Sequence, residues 1–178
     1  MNMILRLNIK VNYKEIFMLS GLLEKHQCAE CRFCCVFDKD DFWEMPSLLP
    51  DTAEKIKSFE PKTLLNSCDK VFMFDVKNIE GELYPCPALT SNGCGLSSDL
   101  KPFECSIWPF RLMNFKGDIV LTVCKDCSAL KDLDTQTIDD FANSKIRVLA
   151  LNYAKKYPSI VKSFHENYRI IYPKVTTE

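Results

Sequence analysis

Cys28-Ala-Glu-Cys31-Arg-Phe-Cys34-Cys35 puts four thiols into eight residues. That density does not suit a core helix or strand and reads instead as a loop wrapped around something. Three cysteines at successive intervals of three can turn their sulfurs to one point in a tight loop, as in bacterial ferredoxin ligand runs. Zinc accepts similar spacing, although it usually takes two ligands from such a loop and two from a distant segment. A metal is useful because a thiolate is costly to bury alone and a cation offsets its charge. Cys34 and Cys35 are adjacent, and neighbouring side chains of an extended segment point apart. Both on one small ion would strain the backbone, so one of them serves a second centre, stays an exchangeable thiolate, or packs.

Further donors follow at Cys86, Cys94 and Cys105, with glycine on either side of Cys94 and prolines at 85, 87, 102 and 109. The glycines let the backbone bend around a metal, and the prolines reduce the entropy lost on ordering it. Cys124-Lys-Asp-Cys127 adds a CxxC pair. The chain holds ten cysteines against two histidines, which argues against histidine-led metal chemistry. At 178 residues and 47% hydrophobic, it fits one domain spanning 1–178 and can bury a core without disulfide staples. Twenty-three basic against 24 acidic residues give no bulk attraction to nucleic acid or anionic lipid. Arg6, Asn8 and Lys10 interrupt any signal-like run near the start, and no stretch approaches the roughly 20 apolar residues of a membrane helix. The expectation is a cytoplasmic protein whose clustered thiols are metal ligands or redox groups before they are disulfides.

The expected fold class is α+β: a small domain with an irregular cysteine-ligated metal centre, short strands, and N- and C-terminal helices. Met3 to Val11 alternates like a half-buried strand, and Asn12 can cap a helix that delivers the chain to Cys28. Asp51 can cap a short helix through Phe59. Val71 to Val76 and Glu82 to Tyr84 read as short strands separated by a turn near Asn78 and Gly81. Lys116-Gly117-Asp118 between two apolar runs is a hairpin signal. From about 135 to 172 the chain reads as a helical pair, one helix striped by Ile138, Phe141, Ile146 and Tyr153 and ended by Pro158. The second is striped by Ile160, Val161, Phe164, Tyr168 and Ile171.

The CxxCxxCC run, followed about fifty residues later by a cysteine, a Gly-Cys and Lys101-Pro-Phe-Glu-Cys105-Ser-Ile-Trp108-Pro, resembles the zinc- or iron-chelating cysteine-cluster family often called YkgJ-like. That family also includes the flagellin lysine N-methylases. The resemblance covers a core of about 28–127 and implies metal ligation by Cys28, Cys31, Cys34, Cys35, Cys86, Cys94, Cys105 and Cys127. Lys101 and Ser106 stand where the family usually carries arginine, so a bidentate fork onto an anion would be lost or weakened. Cys68 and Cys124 have no place in the family pattern. Cys68, next to Asp69 and in no motif, reads as packing.

Eight thiolates divide into two four-ligand sites, and the CxxCxxC triplet favours a 4Fe-4S iron-sulfur cluster over zinc. The resulting expectation is a metal-binding redox or accessory protein with a protein partner or protein substrate. A lysine N-methylase-like enzyme and a structural zinc module remain the alternatives. None of the five glycines forms GxGxxG after a strand, and no Ser-His-carboxylate set stands out. Whether the chain is an enzyme stays open, with any catalysis carried by the metal. His26 and His165 read as solvated, and the acidic run Asp38, Asp40, Asp41 and Glu44 as a solvated loop face. Trp43 and Trp108 read as shielding the site or filling core.

Overall fold

A computed structural model describes residues 18–38, 43–68, 71–76 and 81–173, with the side chains of Lys25, Cys28 and Cys68 outside that description. In chain order the elements are α1 (Lys25–Cys31), β1 (Val36–Asp38), α2 (Pro50–Phe59), β2 (Leu65–Cys68) and β3 (Val71–Phe74). There follow β4 (Leu83–Pro85), β5 (Leu89–Thr90), β6 (Gly93–Cys94), α3 (Phe103–Ile107), β7 (Phe110–Phe115) and β8 (Asp118–Cys124). The last are α4 (Thr135–Phe141), α5 (Arg147–Lys156), β9 (Lys162–Ser163) and β10 (Tyr168–Tyr172). The class is the expected small mixture of helices and short strands.

The β7–β8 hairpin forms where the turn signal lies. Lys116 and Gly117 both take positive φ, 54° and 97°, as a two-residue hairpin turn of matching twist requires. Phe110 pairs with Val123 and Phe115 with Asp118. β10 adds antiparallel to β8 and β9 parallel to β7, giving a four-stranded sheet in the order β10-β8-β7-β9. Asp134 caps α4 by accepting from the Thr137 N–H at 2.9 Å, and one π-helical turn (Ala142–Ile146) joins α4 to α5. Ile138, Phe141, Ala142, Ile146, Ala150 and Ala154 bury one stripe against Phe110, Leu112, Val120 and Leu121 of the sheet.

The second half of the expected C-terminal helical pair is not a helix. Pro158–Ile160 is a short 3-10 turn, and the chain then forms β9 and β10. The stripe from Ile160 to Ile171 fits a helical period, but the free edge of β8 offers unpaired backbone groups. Tyr168, Ile170 and Ile171 suit a half-buried strand that satisfies them. The 3–11 strand and the helix start at Asn12 lie outside the described residues. Residues 18–22 are turns, and α1 begins only at Lys25.

A smaller core of Phe37, Met45, Leu48, Ala53, Ile56, Phe74, Val76 and Ala88 lies under the two-stranded pairs β1–β4 and β2–β3. β3 pairs with β2 and β4 with β1, so the strands expected around Asn78 and Gly81 are not partners of one another. α2 starts with Pro50 at its first position, and Asp51 lies in its first turn instead of capping it.

Candidate metal centre

The cysteine run is not one loop. Its first half completes α1, then Arg32 takes φ 54°, and Phe33–Cys35 forms a 3-10 turn leading into β1. A left-handed residue ends a helix and redirects the chain, so Cys31 and Cys34 leave the turn in different surroundings. Arg32 holds the bend by donating from Nε to Ala29 O at 3.1 Å and from Nη2 to Ser91 O at 2.8 Å.

Cys34, Cys35, Cys86, Cys94 and Cys105 line one cavity of about 290 Å³. β1 follows Cys35 directly and its partner β4 precedes Cys86, and the Cys86 N–H donates to Cys35 O at 2.8 Å. β6 supplies Cys94 and α3 supplies Cys105. The remaining wall is mostly apolar, with Phe37, Leu48, Ile56, Phe74 and Trp108. α1 closes another side. Gly93 has φ +93°, and a Cβ there would lie 3.0 Å from Ala29 Cβ, so the approach of α1 to β6 depends on that glycine.

The cavity thiols differ in proton affinity. Cys34 donates to Cys35, which together with burial raises the Cys34 thiol well above the ordinary range. The same hydrogen bond, helped by Lys101 and opposed by burial, lowers Cys35 to about 7. Burial pushes Cys86 up to about 12 despite the Ala88 and Leu89 N–H groups facing its sulfur. Burial also pushes Cys105 well up, with Lys101 acting in the opposite direction.

Cys31 and Cys127, both expected ligands, do not line this cavity. The Ser128 hydroxyl donates to Cys31 Sγ at 3.2 Å. Cys127 is buried in the sheet-side core, and that burial pushes its thiol up to about 11. Cys124 ends β8, and burial raises it beside the Tyr168 hydroxyl. Cys28 and Cys68 lie outside the described side chains. Of the triplet's described side chains, Cys34 lines the cavity and Cys31 lies beside Ser128 instead. Among the described residues no three histidine, cysteine, aspartate or glutamate side chains stand close enough together to hold a single metal ion. No helix among them is long and apolar enough to cross a membrane.

Two buried charges behind the cavity escape a reading of the sequence. Glu104 accepts from the Ser47 N–H at 2.6 Å and lies 3.9 Å from Lys162 Nζ. Arg111 is sandwiched between the Trp43 and Trp108 rings, at 4.8 and 5.4 Å, and donates to Trp43 O and Glu44 O at 3.0 Å each. They face a void of about 10 Å³ shared with Cys34 and Cys105. Their only signal in the sequence is a charge inside an apolar run, as in Phe110-Arg111-Leu112-Met113. Trp43 and Trp108 thus clamp the Arg111 guanidinium, and Trp108 also lines the cavity. His26 and His165 are both exposed. Asp38 is exposed and Glu44 half-buried, while Asp40 and Asp41 lie outside the described residues. No protein-family model, curated protein or solved structure matches the chain.

Proposed function

We propose that this chain is a metal-binding protein that carries an iron-sulfur cluster of the four-iron type in the cysteine-lined cavity, and that it acts as a redox or accessory protein for a protein partner. One observation carries the reading: five thiols, and among the described residues no imidazole or carboxylate, face a single cavity of about 290 Å³. Soft sulfur donors select iron-sulfur clusters or zinc. A lone zinc ion needs four sulfurs at about 2.3 Å from one point. Thiols ringing a cavity of this size suit a group of several atoms better.

Cys86, Cys94 and Cys105 would each supply one ligand, and the adjacent pair supplies the fourth. Cys35 is the member of that pair whose proton leaves more readily, with Cys34 remaining its hydrogen-bond donor. The N–H groups of Ala88 and Leu89 facing the Cys86 sulfur are of the kind that tune cluster potentials. When bound, such a group supplies one-electron transfer. The apolar wall would keep water from it and limit its loss.

The test is anaerobic purification followed by a visible spectrum and iron, sulfide and zinc analysis. The expected result is broad absorbance near 400 nm with iron and sulfide in equal amounts, about four each per chain. A colourless protein with stoichiometric zinc, or one that takes up neither metal on reconstitution, would overturn the cluster assignment.

A further inference from the structure

We propose that Lys101 is the charge-compensating residue of this cavity and sets the reduction potential of the cluster it holds, an inference that rests on the cluster reading above. Lys101 lies in the turn that leads through Pro102 into α3, four residues before Cys105, and its N–H donates to Ser97 O at 2.9 Å. It is half-buried and lines the cavity together with the five thiols. Among the described residues lining that cavity no arginine, histidine, aspartate or glutamate accompanies it. No carboxylate forms an ion pair with it among the described residues. Its ammonium is the one positively charged group among the described residues that line the cavity with these thiols.

Four thiolates around a four-iron core leave a net negative charge, and accepting one electron makes the ligated group one unit more negative. A fixed cation in the cavity wall favours the more negative state. In a site walled by apolar side chains its field is weakly screened. Cluster potentials follow net charge and solvent exposure. Lys101 therefore raises the potential without itself being a ligand, and it is a positioning residue only in this electrostatic sense. Asn92 and Ser98, the other polar wall residues, carry no charge that could replace it.

The experiment is a mediated redox titration, with dithionite as reductant, of anaerobically prepared wild type, Lys101→Gln and Lys101→Arg, with iron and sulfide measured on each. Lys101→Gln should hold wild-type iron and sulfide yet be at least tenfold harder to reduce, about 59 mV more negative for one electron. Lys101→Arg should keep the wild-type potential. A Lys101→Gln protein that loads fully and titrates at the wild-type potential overturns the proposal. If Lys101→Gln folds by circular dichroism but does not load, loading by Lys101→Arg still supports a role for charge. Failure of both variants would show that shape alone matters and would overturn it. Wild type without iron and sulfide would instead sink the cluster reading itself, so the two failures are distinct.

Discussion

Cys86, Cys94 and Cys105 reach their cavity from a turn, a two-residue strand and a five-residue helix, whereas Cys124 and Cys127 stand at the end of β8 and in the wall of the large sheet-side core. The first set lies where regular hydrogen bonding is sparse and prolines do part of the ordering. The second lies where Leu112, Val120, Leu121 and Ile146 are already packed nearly free of solvent. Thiols in a finished core behave as small hydrophobes. The same residue type thus stands in two different settings, separated by what supports the backbone.

The sheet side should hold without any metal, and the largest effect tests that. Ile146→Ala removes a fully buried side chain between the helical rod and the sheet. It should cost about 2–5 kcal/mol, by the same amount in metal-free and metal-loaded protein, as read by denaturant unfolding. A cost that depended strongly on loading would break the separation of the two regions.

Gly93→Ala probes the cavity wall. The positive φ and the 3.0 Å approach to Ala29 predict a loss of about 1–3 kcal/mol, together with weaker metal retention as α1 is pushed from β6. An unchanged iron content and unchanged melting would show that α1 is not part of the wall.

Proton affinity gives the smallest and most graded contrast. In metal-free protein, alkylation should modify Cys35 with a midpoint near pH 7, Cys127 near 11 and Cys86 near 12, as followed by peptide mass spectrometry. A free thiol ionises near 8.5 in the unfolded chain. Cys86, raised by folding to about 12, therefore contributes stability below about 8.5 that is lost as pH rises towards 12. Cys35, lowered to about 7, contributes stability above about 8.5 that is lost as pH falls through 7. Metal-free melting temperatures should accordingly peak between these windows. A Cys35 that alkylates with a midpoint near 9 would contradict its hydrogen bond from Cys34.

Much of this was legible from local chemistry. The Lys116-Gly117 turn and the Ile138-to-Tyr153 stripe specify their elements through nearby residues alone. The cysteines announced a thiol site, and Cys34, Cys35, Cys86, Cys94 and Cys105 do share one cavity. What the sequence could not reveal depends on distant partners. β10 forms because β8 has an edge to fill. Cys31 parts from Cys34 because a non-glycine residue, Arg32, takes a left-handed conformation held by Ser91 O, fifty-nine positions away. Glu104 and Arg111 become structural charges only once Ser47, Trp43 and Trp108 close around them.

Iron retention in Cys105→Ser set beside Cys124→Ser, both purified anaerobically, tests the central claim that the cavity thiols hold the metal. Cys105→Ser should lose the absorbance near 400 nm and most of its iron, while Cys124→Ser keeps wild-type iron and sulfide. Equal loss in both variants, or full retention in Cys105→Ser, would contradict it.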